Sequence, residues 1–436
     1  LLLKESPQKS QRIQWDTHAL IRQFFSIQFE KNDQQSFQDA HRVLFDYFQS
    51  IPDKNQPDTL EELAPLYRAV VHGCLAGEYF KALSEVYWER IERGNEHYSI
   101  NKLGAYSQDL TAIAAFFPQG WLKPVDLDIE SQAWLLAVAS FCLMSLGRLA
   151  DAVAPREADL KLLIKSDNYE QAASSTGSLV DLLLPIGRLI DAERAAQQAI
   201  EYAEKTDNKL TQMVSYSKLA TVLHRRGKLI ESQQAFEKSE DLQKEAQPNY
   251  PYLYLFQGAQ YCALLLDLAI DDQQRKHVLE RANYSLNISK ENRWLLEISL
   301  DYLTLAKTYQ ALQQISEAYK YFDLAIQKIQ ESKSVMNYPE FYLSRALFYL
   351  EQNQLDRCKA DIESATEIID RCGMKLYATD AALLQSRYYL KKDDRLQATY
   401  FCEQAEMLIA ETDYHLRDNA LAHLKSQFIF PPRRRG

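Results

Sequence analysis

The sequence predicts an all-α protein built as a superhelix of stacked antiparallel helical hairpins. Three observations carry that expectation. Only 12 Gly and 13 Pro punctuate 436 residues, which disfavours a turn-rich β architecture and permits long uninterrupted helices. A six-residue element recurs as Gly147-Arg148-Leu149-Ala150-Asp151-Ala152, Gly187-Arg188-Leu189-Ile190-Asp191-Ala192 and Gly227-Lys228-Leu229-Ile230-Glu231-Ser232, its glycines 40 residues apart. Degenerate copies put Ile270, Gln313, Asn353 and Asp393 in the glycine place. Finally, small residues form a ladder downstream: Ala192, Ser232, Ala318, Cys358 and Ala398, then Ala199, Ser239, Ala325, Ala365 and Ala405. The Ile270 copy keeps Ala282 but has Arg275 at the first rung.

Each part of the element has a physical reason. Glycine ends one helix by accepting a left-handed backbone. The residues after it open a second helix, whose small side chains, two turns apart on one face, let its neighbour approach closely. A single hairpin leaves its apolar stripe exposed, so hairpins must stack, and stacking creates a groove.

Composition narrows the function classes. Fifty Lys and Arg against 60 Asp and Glu give a net charge of −10, which argues against wrapping nucleic acid by bulk electrostatics. Six scattered cysteines without a CxxC pair fit a reducing cytoplasm. The least polar run, Ala133 to Leu146, is shorter than the roughly 20 residues of a membrane span. We therefore expect a cytoplasmic protein that engages neither membrane nor nucleic acid. The chain opens at Leu1 without Met, which reads as a piece of something larger.

Catalytic and metal motifs are missing. No GxxxxGK[ST], HExxH or GxSxG string occurs, so no catalytic residue, metal ligand or cofactor is assigned to this segment. His72 and Cys74 are two ligands where zinc needs four, or three plus water. Glu61-Glu62 and Asp271-Asp272 are adjacent and point to different sides of a helix, as solvated or helix-opening residues do. Arg433, Arg434 and Arg435 read as a solvated tail, residues 431–436.

The Gly, Ala, Ala rhythm, with Phe236 and Phe322 at an aromatic place, resembles the tetratricopeptide repeat. That resemblance implies a right-handed superhelix, with a 40-residue step in place of the family's usual 34 through longer helices. The segment Trp15-Asp16-Thr17-His18-Ala19-Leu20-Ile21-Arg22-Gln23-Phe24-Phe25 is similar to the one that closes the winged-helix module of STAND NTPases, with Ala19 in place of the usual Pro. Asp16 then caps a helix, His18 supports its start, and Leu20, Ile21, Phe24 and Phe25 form its apolar stripe. Ile91-Glu92-Arg93-Gly94-Asn95-Glu96, Lys102-Leu103-Gly104-Ala105 and Gln247-Pro248-Asn249-Tyr250-Pro251-Tyr252-Leu253-Tyr254 resemble strings in the helical arrays attached to bacterial STAND proteins. The implied organisation is the end of an upstream winged-helix-like module (1–50), a helical linker with the first hairpins (51–130) and the repeat array (131–430).

The resemblance implies a C-terminal sensor array of an NLR-like, antiviral-type STAND protein. The array captures a foreign protein in its concave groove and thereby controls an upstream NTPase module, which holds ATP and Mg and oligomerises on activation. Two other readings stay open: a small-molecule or peptide sensor of a STAND transcription regulator, and a plain protein scaffold. Counting 13, 10, 6 and 3 places back from each repeat glycine places Val214, Ser217, Thr221 and His224, then Gln257, Gln260, Leu264 and Asp267, then Leu300, Leu303, Lys307 and Gln310, then Asp380, Leu383, Arg387 and Leu390 on the groove face. The candidate partner-binding residues are Ser217, Thr221, His224, Gln257, Gln260, Lys307 and Arg387, with Arg225 and the Tyr250, Tyr252 and Tyr254 cluster at the groove edge.

Overall fold

A computed structural model describes residues 4–5, 15–16 and 19–429. His18 and Arg433 to Arg435 lie outside the described residues. The chain divides into two compact units, Leu1–Glu96 and His97–Gly436.

In the first unit, β1 (Lys4–Glu5) and β2 (Trp15–Asp16) form a two-residue antiparallel ladder. Asp16, expected as a helix cap, is instead held extended by its pairing with Lys4. Helices α1 (Ala19–Asn32), α2 (Gln34–Ser50) and α3 (Leu60–Leu75) follow, and α4 (Tyr79–Lys81) runs into a π-helical stretch, Ala82–Glu92. Asp33 caps α2 and Thr59 caps α3 through side-chain oxygens that accept backbone N–H groups. The α2–α3 packing is close because Gly73 faces Ala82 and Phe45, where a Cβ would meet the Ala82 Cβ at 2.8 Å. The wide stretch ends at left-handed Arg93, whose Nη2 donates to the Pro57 carbonyl at 2.6 Å and closes the 51–59 loop. Phe24 and Phe25 of α1 are exposed.

The second unit opens with α5 (Tyr98–Asn101) and α6 (Tyr106–Ala114). Seven hairpins follow: α7 (Ile129–Ser145) with α8 (Leu149–Lys165), α9 (Tyr169–Ile186) with α10 (Leu189–Ala203), α11 (Lys209–Arg225) with α12 (Leu229–Ala246), α13 (Leu255–Leu268) with α14 (Asp272–Asn292), α15 (Leu295–Ala311) with α16 (Ile315–Ser332), α17 (Tyr338–Glu351) with α18 (Leu355–Cys372), and α19 (Lys375–Lys391) with α20 (Arg395–Thr412). Helix α21 (Asp418–Ile429) packs on the last hairpin. The fold is all-α, stacked in adjacent antiparallel pairs. Among the described residues no helix is long and apolar enough to cross a membrane.

The small-residue ladder is the seam inside each hairpin. Ala192, Ala199, Ser232, Ser239, Ala318, Ala325, Cys358, Ala365, Ala398 and Ala405 are fully buried. The serines also satisfy carbonyls on the facing helix: Ser232 Oγ donates to the Ala220 oxygen at 2.7 Å and Ser239 Oγ to the Met213 oxygen at 2.8 Å. Ser386 Oγ does the same to Ala398 from the other side, at 2.8 Å. The Asp of the repeated element opens the second helix, where Arg188 and Asp191 pair at 2.7 Å on the surface.

The turn places follow residue chemistry. Gly147, Gly187 and Gly227 are left-handed, and so are Gln313, Asn353 and Asp393 in the degenerate copies. Ile270 does not follow them. A β-branched side chain is costly in that region, so Ala269 is extended instead and Asp271 caps α14 by accepting the Gln274 N–H at 2.8 Å.

Left-handed geometry alone therefore does not require the three glycines. Their close approach to later hairpins does. A Cβ on Gly147 would lie 2.5 Å from Cys372 Sγ, one on Gly187 2.5 Å from Thr412 Cγ2, and one on Gly227 3.1 Å from the His415 carbonyl carbon. Gly104 meets the Ser332 oxygen in the same way, at 2.6 Å. The turns at Gly147 and Gly187 thus seat against the ends of hairpins five further along, the turn at Gly227 against the turn that follows the last hairpin, and α9 packs against α19. Within this unit the superhelix closes on itself.

Candidate functional site

The inner face carries a half-open pocket of about 170 Å³. Its walls come mainly from first helices of hairpins. Arg225 stands at the end of α11, Lys307 on α15, Glu340, Leu343 and Leu347 on α17, and Tyr377, Asp380, Leu383 and Arg387 on α19, while Arg417 enters from the turn before α21. The repeat places them together: Lys307, Leu347 and Arg387 occupy one place in three consecutive hairpins, and Glu340 and Asp380 occupy another in two.

Four cations and two carboxylates share this space. Lys307 Nζ donates to Glu340 Oε1 at 2.9 Å, and Arg417 Nε to Asp380 Oδ1 at 2.5 Å, with the Tyr414 hydroxyl donating to Asp380 Oδ2 at 3.2 Å. Among the described residues, Arg225 and Arg387 have neither a hydrogen bond nor an ion pair through their guanidinium groups. The field is felt by the acids. Burial alone would raise the Glu340 carboxyl, yet Lys307, Arg225 and Arg417 bring it down to about 2. Burial likewise opposes ionisation of Asp267, and His224, Arg417 and Arg225 outweigh it, so its pKa is lowered. Burial lowers the Arg387 pKa, with Glu351 opposing that shift.

The structure sorts the sequence-derived candidates. Arg225, Lys307 and Arg387 converge on the cavity. Ser217, Thr221 and His224 are buried between helices: Thr221 Oγ1 donates to the Ser217 oxygen at 2.9 Å and His224 Nε2 meets Asp267 Oδ2 at 2.8 Å. Gln260 is buried beside a smaller space bounded by Leu303, Lys307 and Glu340, and its Oε1 has no partner among the described residues. Gln257 lines a separate depression of about 350 Å³ with Val214, Ser215 and Lys218. The tyrosines pack against α14 or each other. Tyr250 stacks on Tyr254 at 4.9 Å, and Tyr252 lies edge-on to Tyr284 beneath the Arg281 guanidinium.

Glu340, Tyr377 and Arg417 were not among the candidates. The same count from Asn353 lands on Glu340, Leu343 and Leu347, so that signal was available. Arg417 lies beyond the last repeat, where no count reaches. In the first unit, His72 Nδ1 faces His41 Nδ1 at 2.9 Å and stacks on Phe48. Burial, His41 and Arg68 push its pKa down to about 4. Among the described residues no group of three or more His, Cys, Asp or Glu is arranged to hold a metal.

Comparison with known proteins follows this geometry. No family model and no curated protein matches the sequence. Solved structures do match. A Rap protein complexed with Competence and Sporulation Factor aligns with a TM-score of 0.51 at 15% identity, over 77% of this chain and 93% of that one. This is a tetratricopeptide-like helical-repeat fold. Aspartyl phosphate phosphatase F from Bacillus subtilis aligns at 0.46 and 13% identity, over 88% of this chain and 91% of that one. A STAND protein with a tetratricopeptide repeat sensor from Pyrococcus horikoshii aligns at 0.36 and 14% identity; 98% of this chain spans 59% of that one. Identities this low speak to the tetratricopeptide-like fold alone.

Proposed function

We propose that the second unit is a ligand-binding repeat array that takes an extended segment of a partner protein, or a peptide, on its inner face. The observation that carries this reading is the half-open pocket on the inner face lined by Arg225 and Arg387, whose guanidinium groups make no hydrogen bond or ion pair among the described residues. Half-buried guanidinium groups with unused N–H donors are costly, and an incoming acceptor would satisfy them. The cavity's size favours a segment over a folded surface. The Rap protein crystallised with Competence and Sporulation Factor supports the reading by likeness of fold.

The finer role we propose is that of a sensor for an upstream STAND ATPase and its effector, with a foreign protein as the target. Its support is the Trp15 to Phe25 segment together with the 91–96, 102–105 and 247–254 strings, and the exposed Phe24 and Phe25 suit packing on a preceding module. ATP and Mg belong to that module in this scheme.

A selection of random displayed peptides against the purified chain tests the inner-face reading. Leu347 lines the cavity, and Leu347→Trp fills it without changing charge. Selected peptides should lose at least tenfold in affinity for Leu347→Trp while its melting stays that of the parent. Peptides that bind both proteins equally, or a selection that recovers none, overturn the reading.

A further inference from the structure

The second helix of the last hairpin presents a different outward face from the one before it. On α18 the solvent side carries Asp356, Ala360, Glu363 and Glu367, all exposed. The same places on α20, counted from Asp393 as those are from Asn353, hold Leu396, Tyr400, Glu403 and Met407. Leu396 is 79% exposed, Tyr400 52% and Met407 56%. Single exposed apolar residues are ordinary, but three on one helix stripe mark a contact surface.

Helix α21 does not cover this stripe. It occupies the neighbouring face of α20, where Cys402, Ala405 and Ile409 meet Leu421 and Leu424, and Lys425 pairs with Glu406 at the stripe's edge. Among the described residues, neither the Glu403 carboxylate nor the Tyr400 hydroxyl has a hydrogen bond or an ion pair. The Tyr400 ring is nevertheless held in place, edge-on to Phe401 with centroids 5.1 Å apart.

We propose that α20 pairs with α20 of a second copy of this chain, antiparallel about a two-fold axis between Phe401 and Cys402, so that Tyr400 of each copy meets Glu403 of the other. This contact lies on the outer face and is independent of what the inner face binds.

The order of residues along the stripe selects a copy of itself. Steps of four, three and four residues put all four side chains on one seam of a helix pair. Reversing one copy about the midpoint sets Leu396 against Met407 at both ends and Tyr400 against Glu403 at both inner places. Apolar then meets apolar, and each free hydroxyl donates to a free carboxylate in a charge-assisted bond. A parallel pairing would instead place Glu403 on Glu403, and a foreign helix apolar throughout would leave Glu403 and the Tyr400 hydroxyl buried without partners. Two such faces bury on the order of 1,000 Å² in total, the low end of specific interfaces, in keeping with a dimer that forms at micromolar concentration.

Sedimentation equilibrium of the full chain from about 1 to about 100 µM tests the pairing across the range where such a dimer forms. We expect a monomer–dimer equilibrium in the parent. Tyr400→Phe keeps the rings and removes both hydroxyls, and should weaken the dimer roughly tenfold; Met407→Glu should abolish it. Both places face solvent in the monomer, so the dilute variants should melt as the parent does. Disulfide trapping with oxidised glutathione reads the register, in a Cys372→Ser background because the other native cysteines are buried. A mixture of Tyr400→Cys and Glu403→Cys chains should cross-link much faster than either variant alone. A parent that stays monomeric throughout overturns the proposal and leaves the stripe to a different protein. A dimer indifferent to Tyr400→Phe and Met407→Glu overturns it by placing the contact elsewhere, and trapping no faster in the mixture than in the single variants overturns the antiparallel pairing.

Discussion

Gly187 lies against Thr412, five hairpins further along the chain, so closely that a Cβ on Gly187 would sit 2.5 Å from Thr412 Cγ2. Gly373 has the same left-handed backbone, with φ of 66°, and nothing within 4 Å of its notional Cβ. The two positions separate backbone strain from closure.

Gly373→Ala should cost about 1–2 kcal/mol, the strain of a left-handed alanine. Gly187→Ala adds a steric clash with Thr412 and should cost at least twice as much. Urea unfolding of both variants measures the difference; equal costs would mean that the closure between Gly187 and Thr412 contributes nothing to stability.

Ala199 is fully buried in α10. Ala199→Arg overpacks the hairpin seam and buries an unpaired charge, so it should destabilise by several kcal/mol, where overpacking alone costs about 1–3 kcal/mol. Limited proteolysis should cut the variant first between residues 150 and 240. Resistance equal to the parent's there would argue against the ladder as a packing seam.

Asp301 is buried on α15, with Ser289 Oγ donating to its Oδ2 at 2.6 Å. Burial raises its pKa well above the usual carboxylate range, to about 7, against the opposing hydrogen bonds from Ser289 and Ser285. The folded chain therefore keeps a proton that the unfolded chain releases. This group's contribution to stability is complete below about pH 4 and is lost as pH rises to about 7. Asp301→Asn should gain on the parent by a few kcal/mol between pH 4 and pH 8. Melting of the pair at both pH values checks the sign, and a gap independent of pH would contradict it.

Arg281 is buried with its guanidinium over Tyr252 and Tyr261, each at 4.6 Å, and is paired with Glu240. Glu240→Ala strands that charge and should cost about 3–5 kcal/mol, whereas Glu240→Leu with Arg281→Met should recover much of the loss. A double-mutant cycle by chemical denaturation reads the coupling.

Periodicity made the hairpins and the inner-face register legible in the sequence, because helix pitch fixes which places share a face. Lys307 and Arg387 could be named for that reason, and Arg225 as a neighbour of the counted His224 at the groove edge. Burial of Ser217, Thr221 and His224 was not legible, since it depends on how tightly neighbouring first helices close: Asp267, one hairpin on, reaches back to His224. Ile270 marked a departure from the glycine pattern, but the extended Ala269 and the Asp271 cap that replace the usual turn became visible only in three dimensions. The approach of Gly147 to Cys372 has no local signature either, because nothing within one repeat records which other repeat it meets.

That long-range registration bears on how such a chain can evolve. A linear repeat protein accepts the duplication or loss of one unit, since each unit meets only its neighbours. Here an extra hairpin between Gly187 and Thr412 would slide every front turn onto the wrong rear helix end. Length is therefore fixed by geometry, and change is channelled into the residues that face the central space.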